Sequence, residues 1–262
     1  MSEPRIDYLA KDGVATLTIN QPAKMNALTF EMWTAIPDLV ARAEEDRSVR
    51  LIVLTGAGDK AFCAGADISQ FGTKRTGEAA VQAYEVAVLG GMEALTQAKK
   101  PVLARIHGIA FGGGLALALC CDLRIASSDS RFRIPAARLG LGYAFSNVEA
   151  LVHRIGLGPA SDMLLSARIV DGAEAERLGL VNKTWPVTGF AAAADEYIAA
   201  IATNAPLTLM ALKKSLSETA KAHHERDRAG ADALVALCFS SEDYKEGQAA
   251  FKEKRVPQFK GV

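Results

Sequence analysis

Short apolar runs rich in β-branched residues alternate with longer segments of helical spacing over the first two thirds of the chain. These runs lie at residues 14–19, 51–56, 102–106 and 122–127. Their length and composition are typical of buried β-strands. Apolar residues recur at intervals of three and four in the segments between them, such as 29–45 and 77–98, which predicts helices. The pattern therefore predicts a mixed α/β fold.

Strand signals stop at Trp185 and Pro186, and the chain beyond them predicts only helices. The predicted helices lie at residues 191–202, 206–221, 224–238 and 243–254. This change divides the chain into residues 1–189 and residues 190–262. The second part carries apolar stripes at Ile198, Ile201 and Ala202 and at Leu209, Leu212 and Leu216. A small appendage cannot cover them by itself, so we expect the stripes to pack on other subunits.

Composition narrows the function classes. Half of the 262 residues are hydrophobic, enough for a large core in one domain plus an appendage. Lys plus Arg and Asp plus Glu both number 30, so no net field attracts nucleic acid or an anionic membrane. The first residues are polar, and no apolar run approaches the roughly 20 residues that span a bilayer. We therefore expect a cytoplasmic protein with no nucleic-acid or membrane partner.

Two segments carry the strongest chemical signal. In AFCAGADI, residues 61–68, small side chains allow a ligand to approach the main chain before Asp67 caps a following helix. In IHGIAFGGGLALALCCD, residues 106–122, three glycines follow a predicted strand and open a helix. The unpaired N–H groups and dipole of such a helix start favour negative charge. Together the segments predict an oxyanion hole, two backbone N–H groups directed at one oxygen.

Other interpretations of the glycines are open at this point. A phosphate-binding turn would need a Lys-Ser/Thr pair or GxGxxG spacing, and residues 111–115 provide neither. Close helix packing without a ligand also accounts for glycines. The Ala-Gly-Ala-Asp segment makes this second interpretation less favourable.

The cysteines and histidines predict no metal site. Cys63, Cys120, Cys121 and Cys238 form no CxxC pair and have no histidine at ligand spacing, so neither zinc nor a disulfide framework is expected. Cys120 and Cys121 fall on a helix that is apolar on every face, which predicts core positions. A nucleophilic Cys63 would need a base that the sequence does not identify. His107 precedes the glycine turn and could hydrogen-bond the loop.

Five segments in the same order resemble the crotonase (enoyl-CoA hydratase/isomerase) superfamily. They are PAKMNAL at 22–28, LIVLTGAGDKAFCAGADI, the GGG helix, GPASDMLLSARIVDGAEAERLGLVNKTWP, and EDYKEGQAAFKEKRVPQF at 242–259. The resemblance implies a spiral of repeated ββα units in residues 1–189 and a helical trimerisation region in 190–262. It also implies an acyl-CoA substrate, with no cofactor beyond the CoA moiety, and a homotrimer or a dimer of trimers. The enolate of the thioester would accept hydrogen bonds from Ala66 N–H and Gly113 N–H.

The CoA contacts follow from the same resemblance. The pantetheine and phosphate side matches Ala23, Lys24 and Met25; the adenine side matches Ala64, Asp67 and Ile68; the tail matches Phe251 and Lys254. In this family the tail positions can reach a CoA bound by the neighbouring subunit. Lys24 is equally well interpreted as a solvated lysine in a turn.

The chain departs from the family's hydratases at the acid/base positions. Those enzymes carry one glutamate three residues beyond the residue that matches Gly113 and another after the proline of FxxPE. Here Ala116 and Ala136 occupy these positions, and Ala144 matches a third acidic position of other members. A positioned acid or base contributes about 10²- to 10⁴-fold in rate. The chain should therefore polarise acyl-CoA but hydrate it poorly, unless another side chain has taken over.

Two segments offer replacements. One contains Tyr143, Ser146, Asn147 and Glu149, of which Glu149 is the candidate acid/base, with an exposed helix glutamate as the other interpretation. The second carries Glu78, Tyr84 and Glu85; the last two are adjacent and face different sides of a helix.

Three function classes are consistent with these residues. The first is a thioester enzyme of the enoyl-CoA hydratase/isomerase type with a relocated acid/base, which is not expected to be an efficient classical hydratase. The second is an acyl-CoA hydrolase or C–C bond lyase of the same superfamily. The third is a non-catalytic acyl-CoA-binding protein. A fold is shared by all three, so only the site separates them.

Overall fold

The computed structural model describes residues 3–70, 72 and 76–262. Within these residues one sheet has the strand order β1 (Arg5–Lys11), β2 (Val14–Asn20), β3 (Leu51–Gly56), β5 (Val102–Ile106), β7 (Leu123–Ser127), β10 (Lys183–Trp185). A second has the order β4 (Ala61–Cys63), β6 (Ile109–Phe111), β8 (Arg131–Arg133), β9 (Val170–Asp171). The pairs β1–β2 and β8–β9 are antiparallel. The remaining pairs are parallel.

Helices follow the strands around the spiral and then continue alone. They are α1 (Phe30–Glu45), α2 (Glu78–Gln97), α3 (Gly113–Leu119), α4 (Ala136–Leu139), α5 (Phe145–Ile155), α6 (Leu157–Ser166), α7 (Gly172–Leu178), α8 (Val187–Ala202), α9 (Pro206–Thr219), α10 (Arg228–Ser240) and α11 (Glu242–Glu253). Short 3-10 helices lie at Pro22–Lys24, Ile68–Gln70 and His223–Glu225.

Each turn of the chain places one strand in each sheet. The pairs β3 and β4, β5 and β6, and β7 and β8 add neighbouring strands to the two sheets in succession, and a helix follows each pair. This is the repeated ββα spiral that the resemblance implied, so the predicted fold is confirmed. The parallel pairing explains why the sequence shows continuous apolar runs, since strands covered on both faces are apolar throughout.

Helix α1 packs its apolar face against α2 and the core. Thr29 caps it, with its hydroxyl accepting a hydrogen bond from Met32 N–H at 3.2 Å. Met32, Trp33 and Ile36 form its buried face. Helix α3 is buried from Gly114 to Leu119. It lies so close to β4 that a methyl group on Gly114 would stand 2.3 Å from the Cys63 carbonyl oxygen.

The boundary predicted at residue 189 falls inside helix α8, which begins at Val187. Phe190, Ala194 and Ile198 of this helix pack on the six-stranded sheet in a second apolar cluster. Ile198 and Ala202 were expected to face other subunits, but they are buried within the chain. The prediction was wrong for this pair because the outer face of the sheet is apolar and must be covered.

The later stripe agrees better with an open surface. Leu212 and Leu216 of α9 are 55% and 69% exposed.

None of the helices in the described ranges is long and apolar enough to cross a membrane.

Candidate functional site

The backbone of Leu28 holds the segment that carries Ala66. Leu28 N–H donates to the Gly65 carbonyl at 2.7 Å, and the Leu28 carbonyl accepts from Asp67 N–H at 2.8 Å. Successive N–H groups of an extended strand point to opposite sides, so Ala66 N–H faces away from Leu28. Ala66 is partly exposed, and its N–H has no acceptor among the described residues.

Gly113 supplies a second unpaired N–H group. It is the first residue of α3, where an N–H has no acceptor within the helix. The chain turns from β6 into α3 through Gly112, whose φ of 50° and ψ of −117° require a glycine. Gly112 N–H donates to the Arg133 carbonyl at 2.8 Å, which anchors the turn to β8. In the described part of the chain Gly113 N–H also lacks an acceptor.

The two unpaired groups lie side by side. A methyl group built on Gly113 would stand 3.7 Å from Ala66 N, and one on Gly65 would stand 3.3 Å from Gly113 N. Gly65 has a φ of 105°, and its added methyl group would also lie 3.1 Å from the Phe111 carbonyl oxygen. Only glycine at 65 therefore leaves the gap open. The fold brings Ala66 and Gly113 together although they are far apart in sequence, and we call them the N–H pair.

Asp67 braces the loop beside the N–H pair. Its carboxylate is 4% exposed and accepts hydrogen bonds from Lys24 Nζ at 2.8 Å and Gln21 Nε2 at 3.3 Å. Ser69 N–H and hydroxyl donate to its other oxygen at 3.0 and 2.7 Å. Burial raises the pKa of Asp67, but the hydrogen bonds from Lys24 and Ser69 outweigh burial and leave the pKa below its ordinary value. An ionised, internally bound carboxylate fixes the loop, and its expected adenine contact stays a prediction.

The turn at residues 22–26 is tied to the same loop. Met25 carbonyl accepts from Ala64 N–H at 2.9 Å. Asn26 has a φ of 55°, and its side-chain amide donates to the Ala57 and Ala61 carbonyls at 2.9 and 2.7 Å. Sequence reasoning missed Asn26, although asparagine is the non-glycine residue that most readily adopts this backbone conformation.

The remaining expected CoA contacts divide into two places. Ala23, Lys24, Met25 and Ile68 are exposed around the braced loop and Ala64 is partly exposed, so they present one surface. Phe251, 86% exposed, lies among the C-terminal helices and lines a groove of about 650 Å³. Other aromatic residues of the groove are Phe239, Tyr244 and Phe259. Lys254 ends α11 with a φ of 54°.

No acid occupies the three acidic positions. Ala116 is 2% exposed inside α3, Ala136 is partly buried at the start of α4, and Ala144 is the exposed residue before α5. The proposed replacement Glu149 lies on α5 with its side chain exposed to solvent. Tyr143 is different, because its hydroxyl is buried without a partner among described residues. Burial raises the pKa of Tyr143, which keeps the phenol protonated.

The second segment that offered a replacement acid lies on α2, where Glu78 and Glu85 are exposed whereas Tyr84 is buried. The sequence prediction that Tyr84 and Glu85 face different sides is confirmed.

Cys63 lies under the loop and does not act as a nucleophile in this arrangement. It is fully buried, and burial raises the pKa of its thiol to about 12. Cys121 is buried as predicted and Cys120 partly so. His107 interacts with the backbone of Gly58 rather than with the glycine turn, and burial together with Arg105 lowers its pKa. Among the described residues no group of three His, Cys, Asp or Glu side chains could hold a metal ion.

Comparison with known proteins identifies similar chains. The family model described as enoyl-CoA hydratase/isomerase matches residues 10–262. A short-chain-enoyl-CoA hydratase of Clostridium acetobutylicum is 35% identical over 250 residues, covering 94% of each chain. A crotonyl-CoA hydratase of Syntrophomonas wolfei is 34% identical over 95% of each chain. The crystal structure of an enoyl-CoA hydratase/carnitine racemase from Magnetospirillum magneticum superposes with a TM-score of 0.91 at 31% identity, covering 100% of this chain and 97% of that one.

Proposed function

The chain belongs to the enoyl-CoA hydratase/isomerase family, and from that premise we propose that it binds an acyl-CoA thioester and stabilises the enolate through Ala66 N–H and Gly113 N–H. The observation that carries the proposal is the N–H pair, two partly exposed donors that have no acceptor among the residues that the structure describes. An oxygen between them would receive both hydrogen bonds. Donors fixed in advance need no reorganisation as charge develops, and each is worth about 2.7 to 4 kcal/mol.

The CoA moiety would lie along the braced loop. Lys24 Nζ donates to Asp67 and Ser69, and an ammonium group has three donors. One donor is thus left for a phosphate oxygen, and the side chain is 49% exposed. Exposed Met25 and Ile68 would cover the apolar part of the pantetheine arm.

Hydration is the step for which we propose a deficit. Water must lose a proton to a base and the α carbon must gain one from an acid. Alanine at 116, 136 and 144 can do neither, and the carboxyl of Glu149 is turned to solvent. We therefore propose a thioester-polarising enzyme that hydrates simple enoyl-CoA poorly. Hydrolysis of the thioester or cleavage of a C–C bond is the second candidate, since each also passes through a negatively charged thioester oxygen.

Two proline variants test the N–H pair. Proline suits the first residue of a helix, so Gly113→Pro removes the donor while α3 is retained. Ala66→Pro removes the other donor, and Ala66→Gly is the matched control that keeps it. Calorimetry with crotonyl-CoA should show weaker binding in both proline variants and wild-type binding in the control. Unchanged binding and unchanged turnover in Gly113→Pro would contradict the assignment.

We also propose that the protein assembles as a homotrimer or a dimer of trimers, so that Phe251 and Lys254 reach a neighbouring subunit's CoA. Leu212, Leu216 and Phe239 are apolar and exposed in the single chain, which supports contact with another subunit in this region. Light scattering at micromolar concentration should give the mass of a trimer or hexamer. A monomeric mass would refute the assembly.

A further inference from the structure

The indole of Trp33 fills the space between α2 and the start of α3. Its side chain is 1% exposed. A methyl group on Gly91 of α2 would stand 3.2 Å from Cε3 of the indole, and one on Gly113 would stand 3.6 Å from Cζ2. Cε3 and Cζ2 lie across the six-membered ring from each other. The ring therefore lies between the two glycines, with one edge toward Gly91 and the opposite edge toward Gly113.

Packing alone sets the position of this ring. The indole N–H lies on the same edge as Cζ2, two bonds away, and has no hydrogen-bond acceptor among the described residues. A buried unpaired donor is costly, and such groups in a native protein call for a functional or structural explanation. Since no hydrogen bond to a described residue holds the indole, its packing in the core decides where it lies.

We propose that Trp33 is a positioning residue of the thioester site, which holds Gly113 N–H in place beside Ala66 N–H. The inference rests on the proposed role of the N–H pair. Hydrogen bonding to a developing oxyanion depends on the donor's position, and a displacement near 1 Å can cost about 10²-fold. Gly91 contributes to this positioning, because the absence of a side chain there lets the indole approach α2 closely.

Neighbouring glycines of α2 provide a matched pair of variants. The added methyl group of Gly91→Ala would lie 3.2 Å from both the Trp33 ring and the Trp33 carbonyl oxygen, and 3.3 Å from Ile36 Cδ1, so the ring must shift or α1 and α2 must move apart. The methyl group of Gly90→Ala meets no heavy atom within 4 Å. Neither residue belongs to the N–H pair, and both variants make the same chemical change in the same helix.

The readout is the infrared stretching frequency of the thioester carbonyl in bound crotonyl-CoA labelled with ¹³C at that carbon. Hydrogen bonds from the N–H pair should lower this frequency on binding to the wild-type protein. Gly90→Ala should show the full lowering, and Gly91→Ala should show a clearly smaller one. A role in stability alone would change the melting temperature and leave the frequency at its wild-type value. An equal lowering in both variants would overturn the proposal.

Trp33→Phe provides a second test if Gly91→Ala does not fold. Phenylalanine keeps an apolar ring but does not reach the Cζ2 position, so Gly113 loses its support and the carbonyl shift should shrink. A folded Trp33→Phe protein with the wild-type shift would overturn the proposal. If the wild-type protein itself binds crotonyl-CoA without lowering the carbonyl frequency, the proposed function fails, whatever the variants show.

Discussion

The loop around Ala66 and the positions around Ala136 show how differently the two requirements of thioester chemistry are met in this chain. Leu28 holds the loop through its backbone, and Asp67 braces it through Lys24, Gln21 and Ser69. At the acid/base positions the chain has methyl groups, and Ala144 is exposed. The proposed oxyanion donors are thus built in, whereas the proton-transfer groups are absent from their expected places.

The difference follows from how each feature is encoded. Backbone N–H donors belong to every residue except proline, so the pair depends on glycine conformations and on braces that fix the chain path. A general acid is one side chain, and a single substitution removes it. A family can therefore retain thioester polarisation while its reaction changes, which is the interpretation that we propose for this chain.

The largest expected effect concerns the gap between the two donors. Gly65→Ala would place a methyl group 3.3 Å from Gly113 N at a φ of 105°. We expect any thioester turnover to fall about 10²- to 10³-fold, the effect of losing an oxyanion donor. Gly58→Ala is the control, since its φ is also positive at 75° but its methyl group would meet only Pro22 at 3.9 Å. Equal activities of the two variants, measured by steady-state kinetics, would show that the gap is unimportant.

Restoring a carboxyl at an acid/base position tests whether the missing proton-transfer groups limit hydration. Ala136→Glu adds a carboxyl to the first turn of α4, where the helix dipole favours it. We expect the kcat for crotonyl-CoA hydration to rise about 10²-fold, the lower end for one acid/base group, with little change in KM. Ala137→Glu, on the exposed neighbour, should give no gain. If both variants remain at the wild-type rate, position 136 does not face the substrate.

Position 116 is expected to respond differently from position 136. Ala116 is 2% exposed inside α3, so a carboxyl placed there would be buried. Ala116→Glu should therefore lower the melting temperature rather than raise turnover.

A smaller effect is expected from the brace. Asp67→Asn weakens the bond to Lys24, and crotonyl-CoA affinity should fall by about tenfold, equivalent to roughly 1.4 kcal/mol.

The pKa of Asp67 is lowered below 3.8 in the folded protein. The ionised carboxylate therefore stabilises the folded state above pH 3.8, and this contribution is lost as the pH falls through the folded pKa. Denaturant titrations of wild type and Asp67→Asn should differ at pH 7 and converge once the pH falls below the folded pKa of Asp67. A difference independent of pH would show that the charge is not involved.

Sequence patterning predicted the spiral strands and early helices well, because each is decided by its own residues. The strands at 51–56 and 102–106 match β3 and β5 to the residue, and α1 and α2 differ from prediction by one residue at their ends. Helix α8 begins four residues earlier than predicted. Its first turn contains Thr188 and Gly189, which are poor helix formers, but packing of Phe190 on the sheet outweighs that propensity.

The candidate site was predictable only in part. Ala66 and Gly113 could be paired from the segments at residues 61–68 and 106–122. Lys24 binds Asp67, and Trp33 lies beside Gly113. The members of each pair are distant in sequence, so their proximity follows from the fold alone. The exposure of Glu149 likewise depends on how α5 packs, which the local sequence does not determine.

The most direct test of the account is the kcat for hydration of crotonyl-CoA, measured at saturating substrate beside the short-chain-enoyl-CoA hydratase of Clostridium acetobutylicum. If this chain polarises the thioester without an acid or base in place, its kcat should be at least about 10²-fold lower than that of the reference enzyme. A kcat equal to the reference would contradict the account and indicate a replacement acid, for which Glu149→Gln is the first variant to measure.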